Sequence, residues 1–179
     1  VRRAPLHVAN RITEIDGVAK VDTRIVFDVT MIVADMPEPA TARLVSMPDQ
    51  GVPLLNGLYL RRGRMPEVGR GLEVLVGEAF AERHGYVPGD SVDAILNGRR
   101  RTLRIVGVAL SPEYVLQIKP GQFLPDPERF GIFWVPQTTM EAAFDMKGAF
   151  NDLSVSLMYG ANEAEVTRRV DTILNPWGN

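Results

Sequence analysis

The chain has 179 residues, 45% of them hydrophobic and 23% charged, with a formal net charge of -2 and no cysteine. Such totals describe an ordinary globular chain able to bury its own core, which excludes disorder as the dominant state. They also exclude disulfides, zinc–thiolate sites and thiol nucleophiles, and the near-neutral charge gives no reason to expect nucleic acid as a partner.

Pro5 to Ile15 reads as a short helix, because Pro5 suits a first-turn position and Val8, Ile12 and Ile15 recur at helical spacing. Asp16-Gly17 stops it. From Val21 to Ala34 apolar residues alternate with their neighbours, which predicts one strand about twice the usual length. Its first half has a polar second face, and its second half is apolar on both sides and should be more buried. Met36-Pro37-Glu38-Pro39 turns the chain, and Thr41 to Met47 returns as a hairpin partner. Residues 49–71, rich in Gly, Pro and Arg, read as loops with short strands. Glu73 to Val76 reads as a buried strand, and Glu78 to His84 as a short helix closed by Gly85.

Pro88-Gly89-Asp90 is a turn, and Ser91 to Leu96 alternates as a strand. Asn97-Gly98 is a strong hairpin signal, with Arg99 to Ala109 as the partner strand and Leu103, Ile105 and Val108 turned inward. Ser111 to Gly131 reads as a long ordered loop. Ile132 to Val135 is then a strand, and Pro136 to Phe144 a helix with Thr138 or Thr139 as cap candidates. Asn151 to Met158 alternates as a strand. Asn162 caps a final helix, with Glu165 completing a capping box and Val166, Val170, Ile173 and Leu174 as its apolar stripe. The order is helix–strand–strand, a β-rich middle, then strand–helix–strand–helix. It predicts an α+β layer built from both ends of the chain, with the middle as an inserted excursion.

No stretch of about 18 apolar residues exists, so no helix spans a membrane, and no signal peptide is visible. A chain that begins at Val1 rather than Met is read as a fragment of a longer protein.

His84, near Glu78, Glu82 and Asp90, resembles an acid–base or metal cluster, but no second histidine sits within motif distance and its place before Gly85 fits a helix-end residue better. Asp126, Glu128 and Asp152 could form a carboxylate site only if the fold brought them together. No serine-hydrolase elbow and no phosphate-binding glycine loop occurs, so neither acyl transfer nor ATP binding is expected, and no cofactor or metal. Two basic clusters, Arg61-Arg62-Arg64 and Arg99-Arg100-Arg101 with Arg104, offer lipid headgroups or another anion a surface, against the plainer role of a charged hairpin edge. The long loop is the chief surface candidate, since long loops in compact domains are commonly functional. Its residues Tyr114, Leu116, Phe123, Leu124 and Phe130 are assigned as the contact for a partner or a lipophilic cargo, with packing on the chain's own core as the competing role.

"GLYLRRGRMP", "LEVLVGEAFAERHGYVPGDSVDAILNGRRRTLRIVGVALSPEYV", "FGIFWVP" and "FNDLSVSL", in that order, resemble the extracytoplasmic domain of FtsX-like ABC-transporter permeases, the MacB-type periplasmic core domain. The resemblance runs from about Ile12 to Trp177. It implies an α+β fold: a porter-like α/β lobe built from both chain ends (residues 1–58 and 132–179), with an inserted small β-rich lobe (59–131) that includes the 111–131 loop. It further implies a non-catalytic domain between the first two membrane helices of a cytoplasmic (inner) membrane permease, on the periplasmic side. ATP would be hydrolysed by a separate ATP-binding subunit, and movement coupled to export, extraction or gating of a hydrophobic or amphipathic cargo, or to an external partner protein. The alternative is a soluble extracytoplasmic ligand-binding or hydrolase domain.

Overall fold

The computed structural model describes residues 2–34, 36–51, 53–114 and 124–178. In chain order its elements are β1 (Ala4–Pro5), α1 (His7–Thr13), β2 (Val18–Arg24), β3 (Val26–Ile32), β4 (Ala40–Met47), β5 (Tyr59–Gly63), β6 (Glu73–Gly77), α2 (Glu78–His84) and β7 (Ser91–Leu96). There follow β8 (Arg99–Leu110), a 3-10 turn (Pro112–Tyr114), β9 (Phe130–Pro136), α3 (Gln137–Phe144), β10 (Ala149–Phe150), β11 (Asp152–Leu157), α4 (Glu163–Leu174) and a closing 3-10 turn (Asn175–Trp177).

The long alternating segment is two strands, not one. It breaks at Ile25, where the chain leaves one sheet and enters another. β2 pairs antiparallel with β11, placing Val21 opposite Val155, whereas β3 pairs antiparallel with β4 and with β7. A strand that changes sheets leaves backbone groups at the corner without ladder partners, and buried groups of that kind must be satisfied elsewhere. Two side chains do this. Ser46 Oγ accepts from the Ile25 N–H at 2.8 Å, while the Ser46 N–H donates to the Ile25 carbonyl at 2.8 Å. Asn151 Oδ1 accepts from the Val26 N–H at 2.7 Å, and its Nδ2 donates to the Val26 carbonyl at 2.8 Å.

Beyond the corner the strands close on themselves. The sheet runs β5-β8-β6-β9-β4-β3-β7, and β7 pairs again with β8. β8 allows this through its length of 12 residues: its first half pairs with β7, its second half with β6, and its far end with β5. The result is a six-stranded ring with β5 laid on its outside. Leu44, Val76, Leu103, Ile105 and Phe133 lie in one cluster, with Phe80 of α2 and Met140 of α3. Leu75, Ile132 and Trp134 point to the opposite face and join Val45, Met47 and Ala109 in a second cluster. β6 and β9 are therefore buried along their whole length, as the apolar run of β9 and of β6 after Glu73 requires. Gly131 is needed for the inner packing, since a Cβ there would meet the Phe80 ring at 2.6 Å.

A separate core joins the two chain ends. Val8, Ile12 and Ile15 pack with Val18, Phe150, Val166 and Leu174, under the β2–β11 ribbon. The residues of this core come from 4–21 and 150–177. β3, β4 and β9 hydrogen-bond in one sheet with β5 to β8, and residues on their alternate faces fill its inner cluster. The α+β class holds.

Smaller expectations divide in the same way. Asn97 and Gly98 both adopt positive φ (47° and 74°), as the tight hairpin demands. Asn162 accepts from the Glu165 N–H at 3.2 Å, but the Glu165 carboxylate pairs with Arg169 at 2.9 Å instead of completing the box. Neither Thr138 nor Thr139 caps α3, which begins at Gln137. Asp49 caps it from afar, accepting from the Thr138 N–H at 3.0 Å and from the Thr138 hydroxyl.

The corner yields the first prediction. Asn151→Ala orphans both backbone groups of Val26 and should cost about 2 kcal/mol. In a chain of this size that lowers Tm by roughly 4–8 °C, measurable by calorimetry. An unchanged Tm would show that water replaces the amide without loss.

Candidate functional site

One charged cluster sits where the end lobe, the barrel and the foot of the long loop meet. Arg24, the last residue of β2, is only 8% exposed. Its guanidinium lies between two carboxylates: it makes a two-pronged contact with Glu113, one prong at 2.9 Å, and reaches Asp152 Oδ2 from Nε at 2.7 Å. Glu113 belongs to the turn that opens the Ser111–Gly131 segment, and its carboxylate also accepts from Asn56 Nδ2 at 3.0 Å. Burial alone would raise the Glu113 pKa, but the hydrogen bonds and positive charge of Arg24 outweigh it and hold the group below its usual range. Burial likewise opposes the charge on Arg24, and the two carboxylates more than offset it. Beside them Tyr114 packs edge-on to Trp134, with centroids 6.2 Å apart. Burial, and then the Glu113 charge, push its phenol up to about 12.

The far foot is pinned as firmly. Asp126 Oδ1 accepts from the N–H groups of Glu128 and Arg129 at 3.2 Å. His84 Nε2 donates to the Glu128 carbonyl at 2.9 Å while its ring packs on Phe80, so this histidine ties the returning loop to α2. Arg83 pairs with Glu128 at 2.8 Å and Arg129 with Glu38 at 3.1 Å. Between the feet the assigned contact residues have different fates. Phe130 is 1% exposed and belongs to the outer core cluster, with the Arg43 guanidinium 5.8 Å over its ring, so it offers a partner no surface. Tyr114 is half-buried against Trp134. Leu124 is 76% exposed. Leu116 and Phe123 lie outside the described residues.

The other candidates disperse. Asp126, Glu128 and Asp152 serve three separate jobs: turn cap, Arg83 partner and Arg24 partner. No cluster of three metal-ligating side chains occurs among the described residues. Arg61 is engaged by Glu78 at 3.0 Å, and Arg64 by the buried Glu73 at 2.5 Å, so neither is held ready for lipid headgroups. Glu73 is pulled down to about 2, chiefly by the Arg64 hydrogen bonds acting against its burial, with help from the Glu67 N–H. Sequence reasoning passed over Arg24, Asn56, Glu113 and Asn151. Arg24 read as one more polar position of an alternating strand, and its partners stand 89 and 128 residues away.

With this geometry in place, the model of the MacB-like periplasmic core domain matches residues 2–173. The extracellular domain of the noncanonic ABC-type transporter YknZ from Gram-positive bacteria superposes with a TM-score of 0.57 at 16% identity, over 98% of this chain and 84% of that one. The periplasmic region of MacB from Actinobacillus actinomycetemcomitans gives 0.55 at 14% identity, over 99% and 75%. A permease-protein domain from Porphyromonas gingivalis gives 0.51 at 16% identity, over 98% and 78%. No curated protein sequence matches.

Two measurements separate surface from anchor. Leu124→Ser should leave unfolding stability within about 0.5 kcal/mol, whereas Phe130→Ala should cost about 3–5 kcal/mol in urea titration. Equal effects would mean that the two residues share one environment. The carboxylates add a pH test. Both Glu73 and Glu113 have folded pKa values below their unfolded ones, so their stabilisation is complete above the ordinary value of 4.5 and is lost as pH falls, for Glu73 towards about 2. Glu73→Gln and Glu113→Gln should each flatten the fall in stability between about pH 5 and pH 2. A slope identical to that of the parent chain would exclude these pairs as its source.

Proposed function

The chain belongs to the family of MacB-like periplasmic core domains, and from that premise we propose that it works as a lever between a permease's membrane helices and an external cargo or partner. As an extracytoplasmic domain of an ABC-transporter permease of the MacB/FtsX-like kind, it stands in a system whose ATPase is a separate component. In this reading the domain is non-catalytic, its permease sits in the cytoplasmic membrane, and its task is to pass on displacement.

The observation that carries this is the meeting of the two ends. The Arg2 N–H donates to the Trp177 carbonyl at 3.1 Å, so both ends of the described chain leave the same lobe side by side. If each continues into a membrane helix, displacement of either helix enters the end lobe at one place. It can reach the barrel through the continuous β2–β3 backbone, the Asn151 and Ser46 bonds at the corner, and the Arg24 ion pairs. A corner stitched by so many short bonds passes on a push instead of absorbing it. The Ser111–Gly131 segment, rooted directly on Arg24, is the proposed contact for cargo or partner. Among its described residues Leu124 is apolar and exposed, with Leu116 and Phe123 as further candidates from sequence.

The test uses the full-length permease with its ATPase in lipid bilayers. Spin-label pairs would be placed between the end lobe and the barrel, and between the barrel and the bilayer. The lobe–barrel distance should stay constant through the nucleotide cycle while the barrel–bilayer distance changes. A barrel that holds the same position with and without ATP would overturn the lever reading, and a changing lobe–barrel distance would place the moving part at the Ile25 corner instead.

A further inference from the structure

The barrel opens at the tip of the β7–β8 hairpin, and two arginines there stand on the face that farther along is core. Directly opposed residues of an antiparallel pair share a face. Arg99 is opposite Leu96 and Arg101 opposite Ala94, in the same row that places Leu103 opposite Val92. Leu96, Ala94, Val92 and Leu103 are all buried. Arg99 and Arg101 therefore continue the inward row of β8 out to the mouth. Arg100 lies on the outer face, where Asp93 holds it at 2.6 Å. The Arg99 and Arg101 side chains meet no carboxylate or carbonyl among the described residues.

Both line a groove of about 610 Å³ between the hairpin tip, the 68–72 loop and α3. That volume lies within the range of small-molecule sites, and barrel mouths are a common place for them. Its apolar wall is made by Val68, Leu72, Leu96, Ala142 and Ala143. Asp145 also lines it, and the Thr138 hydroxyl on its edge is already engaged by Asp49, so two unpaired cations face a single carboxylate. An unpaired guanidinium costs little at an open mouth and is matched to planar oxyanions by its forked donors. A plain charged hairpin edge would turn its arginines outward, as Arg100 is turned, not over an apolar wall.

We propose that this mouth binds a single-chain anionic amphiphile, with the alkyl tail along Leu72, Leu96, Ala142 and Ala143 and the oxyanion head paired by Arg99 and Arg101. The inference is independent of the lever reading, because it concerns binding by the 179-residue chain alone. The probe is dodecyl phosphate below its micelle concentration, followed by calorimetry and by amide chemical shifts. Shifts should concentrate in residues 96–101 and 137–145. Affinity should fall at least about tenfold in the Arg99→Gln/Arg101→Gln double variant and remain unchanged in Arg100→Gln, with the same Tm for all three chains. Ala142→Glu, which places a carboxylate in the tail's path, should weaken binding as well. Equal binding of dodecyl maltoside would reduce the site to apolar surface. Equal binding of inorganic phosphate would reduce it to an ion site. Shifts centred on Asp93 and Arg100 would put the ligand on the wrong face. Any of these three results overturns the proposal.

Discussion

Arg24 is the point on which the two halves of this molecule depend. A guanidinium this enclosed is tolerable only if its charge and its planar donors are both matched, and Glu113 and Asp152 do that from opposite sides. Each carboxylate comes from a different part of the chain: Asp152 begins the edge strand of the end lobe, and Glu113 opens the long loop beyond the barrel. One side chain thus fixes the end lobe, the barrel corner and the loop foot relative to one another. The neutral bonds of Ser46 and Asn151 complete the corner by giving the backbone what neither sheet supplies there.

The barrel follows from the same economy of faces. Once β3 has turned away from β2, its apolar alternation must find a second core, and closure through β7 and β8 provides it without a long exposed edge on the ring. β6 and β9 then lie between two apolar clusters, which is why a carboxylate at the start of β6 needs a dedicated partner. Glu73 obtains it from Arg64 on the loop that follows β5. The histidine that first looked like chemistry has a comparable duty at the other foot of the loop, where it holds the Glu128 carbonyl. Many polar residues in this domain stitch elements together; Arg99 and Arg101 instead face an open groove and meet no carboxylate among the described residues.

Family membership fits a molecule made this way. The two described ends meet on one lobe and the long sheet closes into a barrel, an arrangement compatible with the proposed movement as a body.

Sequence by itself determined a good deal. Periodicity placed most strands and all four longer helices, because amphipathic spacing and the Asn97-Gly98 turn are local properties of backbone and side chain. The ordered series of short motifs resembled the family, and an α+β layer drawing on both chain ends was legible from element order. The tertiary structure alone decided that the long alternating segment is two strands in two sheets. The Val21 to Ala34 alternation carries no local mark of a corner at Ile25; the break exists because two cores compete for the two halves of one strand. It alone decided that Phe130 is core while Leu124 is surface, since both are apolar residues of one loop and differ only in what lies beside them. And it alone joined Arg24 to Glu113 and Asp152, because an ion pair is set by distance in space, which spacing along a chain does not encode.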